Sequence, residues 1–198
     1  MRQVMTLATD DKQAGVRARK PRPVNAARIE AAALHYLERF ASSAASLRRV
    51  LMRRVRRSAA LHGTDPAEGA AIVEALIQRY LGNGLLDDAA YARARAAGLH
   101  RRGKSARAIQ ASLAAKGIER SLIAAATGQE RPGGDRAAAA ALVRRRRLGP
   151  YRQPEDREAY RQKDLGTMAR AGFSRQIACS VLDAADAEAL AGLLGEAD

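Results

Sequence analysis

Large apolar residues recur along this chain at three- and four-residue spacing, in short runs separated by turn residues. That period belongs to amphipathic helices, each with one stripe turned to a core. Ile29, Ala33, Tyr36, Leu37 and Phe40 make the first run, and Ser42-Ser43 would cap a second over Leu47, Val50, Leu51 and Val55. Asp65-Pro66 sets a cap and a first-turn proline ahead of Ile72, Val73, Leu76, Ile77, Tyr80 and Leu81, and Gly82-Asn83-Gly84 ends that helix. Asp87 is the N-cap of the next, with Leu86 placed for a hydrophobic staple, and the helix runs through Tyr91 to about Arg101 before Gly103. Ser105–Lys116 carries Ile109 and Leu113, stopped by Gly117 and Ile118 in a Schellman pattern, and a short helix with Leu122 and Ile123 follows. Beyond the turn-rich stretch Thr127–Gly134, helices are expected at about 135–147, 155–171 and 174–185.

These helices fall into threes. Leu113-Ala114-Ala115-Lys116-Gly117-Ile118 aligns with Met168-Ala169-Arg170-Ala171-Gly172-Phe173 at a spacing of 55, and Leu122 and Ala126 then match Ile177 and Val181. A fixed offset of this kind marks a repeated supersecondary unit, here three helices with a glycine stop before the third, similar to a helix-turn-helix core. The expected fold is all-α, an elongated array of three tandem three-helix repeats. Its divisions are a disordered basic arm at 1–23, repeats at 24–82, 83–128 and 135–185, a linker at 129–134 and a C-terminal tail at 186–198. The first repeat lacks the glycine, and Arg56–Gly63 reads as a longer connection.

Composition sharpens this picture. Of the 47% apolar residues 46 are Ala, so a few larger side chains must build each core, and with 4% aromatics and no Trp an all-β sandwich is not expected. One cysteine, Cys179, rules out an internal disulfide framework and a four-thiolate zinc site. No uncharged run is long enough to span a bilayer and the start has no apolar signal core, so a cytoplasmic protein without a membrane partner is expected. The net charge is +14, of which the arm supplies +4, leaving +10 on the folded body. Such a body fits a polyanionic partner. A GC-rich genome raises Arg and Ala together, but it does not group the arginines.

The cations form three groups: Arg48, Arg49, Arg53, Arg54, Arg56 and Arg57; Arg101, Arg102, Lys104 and Arg107; and Arg144–Arg147. On a helical wheel the first group lies opposite Leu47, Val50, Leu51 and Val55, except Arg54, which falls inside the apolar arc and would have to snorkel or lie past the last packed turn. His35, His62 and His100 have no ligand spacing, and neither a nucleophile elbow nor a phosphate loop is present. Asp87-Asp88 reads as capping, and Cys179 as a packed residue. The chain is therefore expected to be a binding protein without cofactor or metal, either for an acidic protein surface or for nucleic acid. An autonomous helix-turn-helix transcription regulator is the alternative.

Gly84-Leu85-Leu86-Asp87-Asp88, Tyr91-Ala92, Gly103-Lys104, Ile109, Leu113 and Lys116-Gly117-Ile118 together resemble the central signature of the RecX regulatory proteins. Ala171-Gly172-Phe173-Ser174 with Ile177, Val181 and Leu182 looks like that family's final repeat, although Ala171 stands where a basic residue is usual. The resemblance spans about 26–185 and implies a modular protein, expected as a monomer. Its implied role is to bind the RecA recombinase and its filament on single-stranded DNA, with direct contact to that strand as an additional element. Filament growth, ATP hydrolysis, strand exchange and co-protease activity would be inhibited. The candidate contact residues are Arg53, Arg56, Arg57, Arg101, Arg102, Lys104, Arg144, Arg145, Arg146 and Arg147.

Overall fold

The computed structural model describes residues 23–128 and 134–195. The expected arm, apart from Pro23, lies outside the described residues, as do 129–133 of the expected linker and the last three positions. The described secondary structure is entirely helical: α1 Ala26–Leu37, α2 Ala44–His62, α3 Pro66–Gly82, α4 Asp88–Arg101, α5 Ala106–Ala114, α6 Arg120–Thr127, α7 Gly134–Arg146, α8 Arg157–Ala171, α9 Arg175–Leu182 and α10 Ala187–Gly195. Two 3₁₀ turns, Gly149–Tyr151 and Pro154–Asp156, precede α8.

Serine and aspartate set most helix starts by satisfying amides that have no partner inside the helix. Ser43, Asp65, Asp87, Ser105 and Ser174 cap α2, α3, α4, α5 and α9 with their side chains. The aligned stops are one structure used twice. Gly117 and Gly172 have φ of 74° and 96°, and the amides of Ile118 and Phe173 reach back to the carbonyls of Leu113 and Met168 at 3.3 and 3.2 Å. Leu113 and Met168 are fully buried, with Ile118 and Phe173 closing over them.

The buried side chains form three clusters, one per group of helices. Ile29, Leu47, Leu51, Val55, Val73, Leu76, Ile77 and Tyr80 fill the first unit, α1–α3. Ala92, Ala96, Ile109, Leu113, Ile118, Ile123 and Ala126 fill the second, α4–α6. Leu142, Val143, Leu148, Met168, Phe173, Val181 and Leu182 dominate the third, which begins with α7. Three details differ from the sequence reading. Leu86, assigned to the second repeat by the expected boundary at 83, is buried in the first core. Phe40 lies beyond the end of α1 and is exposed. The stretch 186–198, read as a tail, contains α10, whose Leu190 is buried in the third core.

Neighbouring units meet through one device, present at both junctions. The C-terminal end of α5 abuts the N-terminal end of α2, where the Ser43 hydroxyl donates to the Lys116 carbonyl at 2.7 Å. Likewise the C-terminal end of α8 abuts α5, where the Ser105 amide donates to the Ala171 carbonyl at 3.2 Å. A Cβ on Gly117 would collide with Ala45, and one on Gly172 with Ser105 and Ala108, so glycine serves close approach here as well as backbone conformation. The first helix of the following unit adds a carboxylate: Asp88 accepts from the Ala44 amide at 2.8 Å, and Asp135 from the Ala106 amide at 2.7 Å. Asp88 thus caps a helix, as expected, but a helix of the preceding unit. Orphan carbonyls of one helix end and orphan amides of another are satisfied together, with opposite dipole ends adjacent. Replacing Asp88 or Asp135 by Ala is expected to cost about 1 kcal/mol each, the usual value of a helix cap. Amide exchange at Ala44 or Ala106 should accelerate selectively, and unchanged exchange there would contradict the coupling.

Candidate functional site

The first cationic surface arises because α2 does not stop where its counterparts do. With Ser43 aligned to Ser105, Leu47 falls on Ile109, Leu51 on Leu113 and Val55 on Gly117. Lacking the glycine, the helix continues two turns to Gly63, which ends it at φ 66°. Arg56–Gly63 is therefore a helical extension and its stop, not the longer connection expected from the sequence. Buried Ser58 anchors it, accepting from the Val24 amide and the Thr64 hydroxyl, each at 3.0 Å. Leu47, Leu51, Val55 and Ser58 face the core, and Arg54 is exposed beside that stripe, so no snorkelling is needed.

Arg49, Arg53 and Arg56 sit at i, i+4 and i+7 on the outer face of α2. They line a cleft of about 580 Å³ with Lys116, which reaches it from the end of α5, while Arg48, Tyr36 and Met52 complete the walls. Arg48 is committed to Glu74 through two hydrogen bonds of 2.8 and 2.9 Å. Those bonds, followed by one from Gln78, hold the Glu74 carboxyl below the usual carboxylate range. Arg49 donates to the Ala115 carbonyl at 3.2 Å and the Ser46 hydroxyl at 2.9 Å. Arg53, Arg56 and Arg57 are exposed and have no carboxylate partner among the described residues. No carboxylate lines the cleft. Several like charges in a concave site raise the local potential, which an arriving anion lowers.

The second and third sequence clusters converge. Arg145 on α7 donates to the Arg102 carbonyl at 2.7 Å, joining positions 43 residues apart at the junction of the second and third units. Arg101 closes α4, Arg102 turns its Nε back to the Gly98 carbonyl at 3.0 Å, and Lys104 is half-buried beside them. Arg144, Arg145 and Arg146 are exposed in the last turn of α7, where cations interact favourably with the carbonyl end of a helix. Arg147 has a φ of 51°, the only non-glycine residue at positive φ among those described. Leu148 packs back on Val143, whose carbonyl accepts its amide at 3.0 Å, so α7 ends as α5 and α8 do, with arginine in place of glycine. That conformation costs about 1 kcal/mol for a residue with a side chain and places a fourth guanidinium next to the three before it.

Of the ten expected contact residues, seven lie on the two segments that the Arg145–Arg102 bond joins, and three line or flank the α2 face. Among the described residues no hydrogen bond or ion pair links the two surfaces. Sequence reasoning passed over Lys116 as a contact because only the junction brings it to α2, 63 positions from Arg53. It also left Arg49 unchosen, although its four-residue offset from Arg53 was the signal. Among the described residues no cluster of His, Cys, Asp and Glu could hold a metal ion, and no helix is long and apolar enough to cross a membrane.

Residues 87–126 match the family model described as RecX, second three-helix domain. The chain is 42% identical over 175 residues to the regulatory protein RecX of Myxococcus xanthus, covering 87% of this chain and 94% of that one. It is 33% identical over 150 residues to the regulatory protein RecX of Agrobacterium fabrum, covering 76% and 79%. A crystal structure of a regulatory protein RecX aligns with a TM-score of 0.52 at 23% identity, over 80% of this chain and 71% of the other, a likeness of fold.

Proposed function

This chain belongs to the RecX family of regulatory proteins, and from that premise we propose that it binds the RecA recombinase and its filament on single-stranded DNA. By occupying the filament it inhibits filament growth, ATP hydrolysis and strand exchange, and it acts in the cytoplasm as a monomer. The observation that carries this reading is the pair of cationic surfaces, one at each unit junction, whose arginines, apart from Arg48, lack carboxylate partners among the described residues. Surfaces held at fixed separation by a repeated junction suit a partner that is itself periodic. Several weak contacts on one rigid body then act at high effective concentration. Arg53, Arg56 and Arg57 supply one contact; Arg101, Arg102, Lys104 and Arg144–Arg147 supply the other. Guanidinium groups bind phosphate oxygens and acidic side chains alike, so protein and bound strand both fall within reach.

The test is co-sedimentation with preformed RecA–DNA filaments, compared with the same DNA bare at equal salt. Preferential sedimentation with the filament is expected, together with a reduced rate of RecA-dependent ATP hydrolysis. The variant Arg53→Glu, Arg56→Glu, Arg144→Glu, Arg146→Glu should keep its helical circular dichroism, because all four side chains are exposed. Its affinity for the filament should fall about tenfold or more, or about 1.4 kcal/mol. Unchanged inhibition by this variant would remove the two surfaces from the account. Nanomolar, sequence-selective binding to a defined duplex without RecA would instead favour an autonomous DNA-binding regulator.

A further inference from the structure

Exposed apolar side chains gather in a groove that shares only Arg102 with the cationic surfaces. Leu34, Phe40 and Leu85 are 41%, 52% and 48% exposed, and all three line one groove of about 660 Å³. Leu37, Leu86 and Tyr91 deepen it, so its apolar wall joins the end of α1 to the segment entering α4. Asp87, Tyr91, Ala94, Arg95 and Arg102 also line it, along one face of α4. At 1.5 Å per residue that face extends about 22 Å. Phe40 packs against Tyr36 with ring centroids 5.2 Å apart, and the Arg39 guanidinium lies 5.9 Å from the Phe40 ring.

The polar groups of the groove are unequally satisfied. Asp87 is engaged by the Ala90 amide at 2.8 Å, and Glu38 lies 3.9 Å from His35. Half-buried Arg95 donates from Nη2 to the Ser112 hydroxyl at 3.3 Å, but its Nε is enclosed with no acceptor. The Arg95 side chain lines the groove and has no carboxylate partner among the described residues, so an incoming carboxylate would pair with its guanidinium. Apolar surface at one end and an unsatisfied guanidinium further along, with Arg102 beyond, make a complementary pattern for a particular kind of peptide. A nucleic-acid strand fits poorly, since Asp87 and Glu38 stand beside the apolar wall and repel phosphates.

We propose that this groove docks a segment of the protein partner that presents large apolar side chains and, within two helical turns, a carboxylate that reaches Arg95. Such a mode lays an apolar face into a groove and fixes its direction by one ion pair. The proposal rests on the reading of a RecA filament as partner, and it assigns that filament an apolar contact that shares only Arg102 with the arginine clusters. The full-length protein carrying Phe40→p-benzoylphenylalanine, irradiated with RecA filaments preformed on poly(dT), tests it. The expected photoproduct joins position 40 to a RecA peptide with clustered apolar residues and a nearby Asp or Glu. Phe40→Ser with Leu85→Ser, both at exposed sites, should weaken filament binding about tenfold, and Arg95→Gln should weaken it while lowering its salt dependence. A photoproduct on the chain's own N-terminal segment, on a second copy or on the DNA would overturn the proposal. Normal co-sedimentation with no photoproduct would overturn the groove alone, whereas failure to co-sediment at all would take the functional reading down with it.

Discussion

Replacing Asp164 with Ala is expected to destabilise the third unit by about 3–5 kcal/mol, the usual effect of removing one partner from a buried ion pair. Asp164 is 2% exposed. Its Oδ1 accepts from Arg152 Nη2 at 2.7 Å, and its Oδ2 accepts from Arg152 Nε at 2.8 Å and from the Gly149 amide at 3.1 Å. The Arg152 guanidinium also lies 4.5 Å from the Tyr160 ring centroid. These bonds tie the first 3₁₀ turn and the Arg152 that follows it to α8, and Arg157 extends the tie to the carbonyls of Pro150 and Ala185. Burial by itself would push the Asp164 carboxyl up, but the Arg152 hydrogen bonds, then the Gly149 amide, outweigh it and hold the group below its ordinary value. A carboxyl depressed by folding contributes stability above its unfolded pKa of about 3.9 and loses that contribution as pH falls through the folded value. Urea unfolding of the protein and of Asp164→Asn should therefore differ most at neutral pH and converge in acid below about pH 4. Parallel curves at all pH values would show that the pair contributes no such linkage.

Leu113→Ala is expected to cost about 2–5 kcal/mol, as deletion of a fully buried leucine does when the site cannot collapse around the void. The second core makes this loss severe, since its buried large side chains are only Ile109, Leu113, Ile118 and Ile123, the rest being Ala. A core so small is marginal alone, and in a repeat array the remaining stability comes from interfaces with neighbours. Leu113 also supplies the carbonyl that receives the Ile118 amide at the helix stop. The second unit carries both junctions, so weakening it releases each cationic surface from its fixed partner. Hydrogen exchange should rise throughout α4–α6 before it rises elsewhere, and the proposed inhibition of RecA should fall with it. Leu113→Met, which conserves volume, should cost less than about 1.5 kcal/mol. Uniform exchange across all three units in Leu113→Ala would mean that the array unfolds as a single body.

The helices, most of their caps and the twice-used glycine stop were legible in the sequence, because each depends on residues within about one turn of one another. Ser43, Asp87, Gly117 and Gly172 act through neighbouring amides and carbonyls, and local spacing is enough to recognise them. Segments shaped by what lies across the fold were misread. Without the stop glycine, Arg56–Gly63 had no local signal to separate a long loop from two further helical turns; Val55 and Ser58, buried against other elements, decided for helix. Phe40 had the right spacing for the core, but α1 ends before it and leaves it at the groove.

The same division runs through the binding surfaces. Sequence by itself determined that this is an all-helical repeat protein with grouped arginines and a body of net positive charge, since propensity, periodicity and charge are properties of each short segment. Only the tertiary structure decided that Arg102 and Arg145 share a patch, that Lys116 completes the α2 cleft and that Asp88 and Asp135 cap helices of the preceding units. Those pairings span from 29 to 67 positions along the chain, and hydrogen bonds and packing at the junctions, to which local spacing is blind, bring them together.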